Sequence, residues 1–257
     1  MKRKPIFNEK LYIDNILLTH DAKQLDIELY QLIQLLSVYF YQYEGYDNKN
    51  ELALRVNQEL LLFNFDEYYY ELWYKNILSI CQYVIKKDLR IKDMFAVDIY
   101  QDEFESIKNC GDIKHQKLLF TLNVLARWNN DSGWTPMQLS LSQIKEMANI
   151  TCSASDFNKL FYDLIQDGYL ISMRKADKFI YKIVNYNQDK NIDKFITISS
   201  FDNIGNHYYV SQVDTHTMCS LCGKLVKKTN NKVKYCKKCA EKIKKKQDSI
   251  RLKMLRS

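Results

Sequence analysis

The chain has 257 residues and a formal net charge of +7, with 46% hydrophobic and 27% charged residues. That length accommodates two or three domains with real cores, and the composition excludes a disordered chain. Residues 1–110 hold 13 basic and 18 acidic side chains, residues 111–215 hold 11 of each, and residues 216–257 hold 14 and 2. The positive charge therefore belongs to the C-terminal stretch. Such a local patch reads as a phosphate-binding surface, against the plainer reading of a solubilising lysine-rich end.

The basic start Met1-Lys2-Arg3-Lys4-Pro5 is followed by no apolar run, so neither a signal peptide nor a membrane span is expected. Seven cysteines, three of them isolated (Cys81, Cys110 and Cys152), fit a reducing compartment and predict a cytoplasmic protein.

Residues 9–43 read as helical, with Leu11, Asn15 and Leu18 on one face and Leu25, Leu29, Leu32, Leu36 and Phe40 continuing at three- and four-residue steps. Gly45 and Asp47-Asn48 end that run. Residues 50–63 (Leu52, Leu54, Val56, Leu60, Leu61) and 66–87 (Tyr69, Leu72, Trp73, Ile77, Ile80, Val84) form two further apolar-periodic segments. The tyrosine cluster around Tyr68-Tyr69-Tyr70 reads as core and rim of a bundle rather than as a stacking platform. Residues 5–90 are thus expected to form an acidic helical bundle whose charge favours a protein partner over DNA. Residues 91–114 read as a connector with a short strand at 94–100.

Residues 115–185 have the order of a winged helix. A helix at 115–129 carries the stripe Leu118, Leu119, Leu122, Leu125 and Ala126. Ser142 is a plausible cap for a second helix ending at Ala148, and Asn149–Cys152 makes the turn. Ser153-Ala154-Ser155-Asp156 matches a capping box and opens a third helix closed by Gly168. Two strand-like runs then flank a basic tip at 173–178. In winged helices the third helix enters the major groove and the wing touches backbone or minor groove. The exposed candidates are Ser155, Asn158, Lys159 and Tyr162 on the helix, and Arg174, Lys175 and Lys178 on the wing. Asp163 and Asp167 on the same helix would repel phosphate if they faced it, and the segment's zero net charge keeps a protein-docking role open.

Residues 186–215 read as a linker with some structure, its aromatics at 201–210 packing against the cysteine-rich stretch 216–241. In that stretch, Cys219-Ser220-Leu221-Cys222, a Lys/Asn hairpin, then Cys236-Lys237-Lys238-Cys239 form the most specific pattern in the chain. Two pairs, each split by two residues, with 13 residues between them, suit one tetrahedral zinc ion. Cys219, Cys222, Cys236 and Cys239 are the expected ligands of one structural Zn2+. His216 is not expected to join four thiols. Knuckle, hairpin and a second pair at a helix start describe a treble-clef or ribbon-like module over residues 216–241. Beyond it, residues 242–257 read as a basic helical tail, with Lys242, Lys245, Lys246 and Arg251 as candidate phosphate contacts.

The stretch His115–Val184 followed by Cys222-Gly223-Lys224 and Lys234-Tyr235-Cys236-Lys237-Lys238-Cys239-Ala240 resembles winged-helix proteins with a C-terminal four-cysteine zinc module from phages and mobile elements of low-GC Gram-positive bacteria. The resemblance covers about half the chain and implies a nucleic-acid-associated phage protein without supplying an activity. No catalytic constellation is read. The six glycines make no phosphate-binding loop, and H-E-x-x-H and the deaminase pattern are missing. The least remote enzyme, a zinc-stabilised nuclease, needs a histidine between the cysteine pairs that 225–235 does not offer. Four thiolates also close the shell that a catalytic zinc keeps open.

The expectation is a mainly α (α+β) protein: an N-terminal helical domain, a central winged helix and a C-terminal zinc module with basic tail. It would bind DNA, with RNA open beside it, in replication or transcription control. The alternative is a host-takeover or anti-defence factor that docks on a host protein. Neither reading involves a membrane.

Overall fold

A computed structural model describes residues 6–20, 27–63, 65, 68–130, 133–136, 139–175, 178–186, 193–220, 222–229 and 233–254; at 130, 175, 178 and 246–254 it describes backbone only. The described residues are mainly helical, with small two-stranded sheets and a C-terminal cysteine cluster. The chain divides into two compact units, Met1–Phe95 and Ala96–Ser257. No helix among the described residues is long and apolar enough to cross a membrane.

The first unit holds α1 (Glu9–Thr19), α2 (Leu29–Tyr43), α3 (Lys49–Leu62) and α4 (Tyr70–Lys87). Polar caps start two of them: Asn8 accepts from the Leu11 amide and Asn48 from the Asn50 amide. Leu32, Leu36 and Phe40 meet Leu52, Val56 and Leu60 of α3 and Ile77, Ile80 and Val84 of α4 in one buried cluster. Arg55 spans Glu44 and Glu59 while its guanidinium lies 3.9 Å from the Phe40 ring centroid. After α4 the chain returns to α1, where the Glu9 amide donates to the Lys92 carbonyl and the Lys92 amide to the Glu9 carboxylate.

The structure corrects the reading of residues 9–43 as one helical run. α1 stops at His20, which takes a left-handed φ of 47°, and α2 starts at Leu29. Leu25 lies outside the described residues. Leu11 and Leu18 are exposed, the latter at 82%, and Ile13 and Ile16 are buried instead. Leu54, Leu61, Tyr69 and Leu72 are likewise outward. Each of these helices carries two interleaved apolar stripes, and periodicity does not say which one meets the neighbour.

The second unit is built round α6 (Ile113–Asn130). Leu118, Leu119, Leu122, Leu125 and Ala126 are buried as expected, and so are Phe120, Val124 and Trp128. An apolar run this dense is covered on all sides. β1 (Val97–Tyr100) and α5 (Gln101–Lys108) precede it. β1 pairs antiparallel with β4 (Lys194–Ile198), which is followed by α9 (Ile204–Gln212). Residues 186–215, read as a linker, therefore supply two packed elements. Phe201 and Tyr208 lie against the α5–α6 layer, where Tyr208 meets Phe104 and Phe120 and Phe201 meets Trp128, while the Tyr209 ring faces the cysteine-rich stretch, 5.6 Å from that of His216. Burial of one such ring stabilises by about 2–3 kcal/mol, more than a tether would carry.

α7 (Leu141–Met147) and α8 (Ala154–Gln166) follow α6 and are joined through the Ala148–Asn149 turn, where Asn149 has φ 48°. The cap of α7 is Ser140, not Ser142. Ser140 and Gln143 form the reciprocal box in which each side chain bonds the other's backbone, and that fixes the start two residues earlier. Ser153 caps α8 as its sequence predicts, and Gly168 (φ 77°) takes the left-handed position after it. β2 (Leu170–Lys175) and β3 (Lys178–Ile183) make an antiparallel hairpin in continuous register, and Trp134 bridges Lys182 on its outer edge. The hairpin's inner face, Leu170, Tyr181 and Ile183, is buried on the helices, with Tyr181 4.4 Å from the Phe161 ring.

Candidate metal centre and candidate nucleic-acid interface

β5 (His216–Met218) and β6 (Leu225–Lys227) pair antiparallel on either side of the first cysteine pair. The turn between them folds because the Gly223 amide donates to the Cys219 carbonyl and the Cys219 amide to the Lys224 carbonyl. Gly223 sits at φ 62°, a conformation that suits glycine. The strand pairing thus encloses the first pair. Among the described residues no strand lies between Lys227 and Cys236, where a Lys/Asn hairpin was expected. The second pair stands at the start of α10 (Lys237–Met254), whose first turn closes through the Ala240 amide and the Cys236 carbonyl. The Ser220 amide donates to the Lys234 carbonyl and ties the two pairs together.

These elements bring all four sulfurs within 4.8 Å of one another. A tetrahedral ion with metal–sulfur bonds near 2.3 Å spaces its ligands about 3.8 Å apart. The Cys222 and Cys236 sulfurs are 3.7 Å apart, so the donor set fits one thiolate-bound ion. Cys219 and Cys239 are buried and the other two half-buried, which leaves the cluster shielded on one side. The adjoining Cys236 and Cys222 thiols push that of Cys239 up to about 12. Four sulfurs this close give up their protons only to a cation that takes the charge. His216 lies outside the cluster, its Nδ1 2.9 Å from the Thr215 hydroxyl.

Ser155, Asn158, Lys159 and Tyr162 are all exposed on α8, opposite the buried Phe157, Leu160, Phe161 and Leu164. Arg174 is exposed on the hairpin. The side chains of Lys175, Lys178, Lys246 and Arg251 lie outside the described residues. Lys242 and Lys245 are exposed on α10. Asp163, one of the two acids that could oppose phosphate, is turned toward the start of α6. His115 stands between it and Asp112, with Nε2 3.3 Å from Asp163 and Nδ1 2.8 Å from Asp112.

Sequence reasoning missed the polar side chains that join these parts. Asn206 is buried between the α7–α8 turn and the cysteine turn, and Asn203 donates to the Cys222 carbonyl. Lys117 is 8% exposed and donates to the Asn149 carbonyl at 2.6 Å. Their only signal was the density of asparagine beside Gly205, which a polar linker also shows.

Burial pushes the Lys117 ammonium down to about 8, below its unfolded range near 10.4. Between these values the unfolded chain binds the extra proton, so this group makes stability rise with pH from about 8 toward 10. Urea unfolding midpoints followed over pH 7.5–9.5 are expected to climb in the natural chain and to lose that climb in Lys117→Met. An equal pH response in both would assign the effect elsewhere.

No protein-family model, curated protein or solved structure matches the chain.

Proposed function

We propose that the chain is a DNA-binding protein of phage or mobile-element origin that serves replication or transcription control. In this reading residues 115–185 are a winged helix, and residues 216–241 are a treble-clef-like module closed by one structural zinc ion. The observation that carries it is the exposed polar face of α8 (Ser155, Asn158, Lys159, Tyr162), with Asp163 engaged by His115 and Asp156 by the capping Ser153. A helix so presented after a tight turn, beside a hairpin with Arg174, matches the way recognition helices meet the major groove. The second support is α10, a lysine-rich helix that starts on the metal site itself. Zinc is favoured over other ions because thiolate-only tetrahedral sites select it or iron–sulfur chemistry, and the two-residue spacing in both pairs is that of zinc knuckles.

The N-terminal unit would contact a host or phage protein. Its outward Leu54, Leu61 and Leu72 also favour the second reading, a host-takeover or anti-defence factor. One experiment separates the two. The triple variant Asn158→Ala, Lys159→Ala, Tyr162→Ala is expected to weaken binding of purified protein to duplex DNA by about 10–100-fold, from the usual cost of one or two lost base or phosphate contacts. Unchanged DNA affinity, together with a host protein retained after nuclease treatment, would favour the docking reading.

A further inference from the structure

Two side chains, those of Asn206 and Asn149, connect the cysteine turn to the α7–α8 turn without a break. Gly223, next to Cys222, offers its carbonyl to Asn206 Nδ2 at 3.1 Å. Asn206 is fully buried, and its Oδ1 accepts from Asn149 Nδ2 at 2.7 Å. Asn149, the left-handed residue of the turn, gives its own carbonyl to Lys117 of α6. A parallel bond runs from Asn203 Nδ2 to the Cys222 carbonyl at 3.3 Å. Gly205 permits this approach: a Cβ there would lie 2.1 Å from the Ala148 carbonyl oxygen.

Both ends of the buried Asn206 amide are engaged by different elements, and a buried amide left half-satisfied is unfavourable. Its Nδ2 donates to the backbone carbonyl of Gly223, which follows Cys222, and its Oδ1 accepts from Asn149. Asn149, the donor to that oxygen, is the left-handed residue of the turn between α7 and α8. The conformation at one end is therefore felt at the other through atoms in direct contact. A coupling of this kind needs no motion of the α6 core.

We infer that Asn206 is a positioning residue that makes the conformation of the α7–α8 turn depend on the metal centre. The inference rests on the reading that an ion occupies the four-cysteine site. While the ion is bound, the exposed face of α8 and the start of α10 keep one register. When it leaves, the Gly223 carbonyl is released, and Asn206 and Asn149 lose the arrangement that holds the start of α8.

The test uses 15N-labelled full-length protein with its metal counted, followed by amide NMR spectra as a chelator removes the metal and Zn2+ restores it. The Asn149 backbone and side-chain resonances are expected to shift together with Gly223 and to return on readdition. In Asn206→Ala, Gly223 should still respond while Asn149 does not, and metal transfer to the chelator should accelerate on the order of tenfold. Asn149→Gly keeps the left-handed backbone and removes only the amide, so it gives the same faster release if the alanine variant does not fold. Gly223 shifting in the natural protein while Asn149 stays still would overturn the inference alone. A preparation without bound metal, in which neither resonance responds to Zn2+, would overturn it together with the metal reading.

Discussion

Replacing Cys239 by serine is expected to remove the metal and unfold the C-terminal module. Cys239 is one of the two buried sulfurs and stands in the first turn of α10, so an ion held by the four sulfurs would join that helix to the β5–β6 turn. Serine keeps the size of the side chain but stays protonated at neutral pH, which leaves three thiolates and an open corner. Structural zinc supplies an apparent folding free energy of about 10–16 kcal/mol in small thiolate and histidine modules, far more than the packing of a pair of three-residue strands. Metal content per chain should fall from one to well below one half, and limited proteolysis should cut between residues 216 and 245. Cys152→Ser, at an isolated cysteine, should retain the metal. Full metal content and protease resistance in Cys239→Ser would contradict a metal held by all four thiolates.

The second large effect is expected in the last turn of α6. Arg127 donates two hydrogen bonds to Glu103, from Nη2 at 2.6 Å and from Nε at 3.1 Å, and both side chains are buried. The guanidinium also lies 4.7 Å from the ring centroids of Tyr100 and Tyr186. Burial pushes the Glu103 carboxyl up, and Arg127 pulls it back. Arg127→Met would strand that carboxylate in a site without water. The expected cost is about 3–5 kcal/mol in urea unfolding of the second unit, as for other buried pairs that lose one partner. Adding Glu103→Gln should recover part of it, because the stranded charge is then gone. A loss below about 1 kcal/mol for Arg127→Met would show the pair to be solvated in solution.

The parts of this protein legible in the sequence are those specified by near neighbours. The Cys-x-x-Cys pairs, the Ser153–Asp156 cap and the αL glycine at 168 each depend on three or four adjacent residues, and all stand where their spacing put them. The turn into α8 followed from Ala148 and Asn149 in the same way. The rest depended on distant partners. Tyr208 bonds Gln116 across 92 residues and Asn206 bonds Asn149 across 57, so residues 201–212 looked like a polar aromatic linker until both partners were in view. The outward Leu11 and Leu18 fail for a related reason. A stripe at helical spacing records that a face is apolar, and only the packing of α2 against α1 selects Ile13 and Ile16 for the core.

The proposed function joins these observations through charge. In that proposal a middle segment of zero net charge would supply a shaped helix, and a lysine-rich helix anchored at the cysteine cluster would supply attraction to phosphate. The measurement that tests this most directly is duplex DNA binding by the full, metal-counted chain over a salt series. If about four phosphates are neutralised, affinity should fall on the order of a hundredfold between 50 and 200 mM salt, and the slope should lessen when Lys242 and Lys245 are both replaced by glutamine. Absence of binding at low salt by a fully metallated sample, or binding indifferent to salt, would contradict the account.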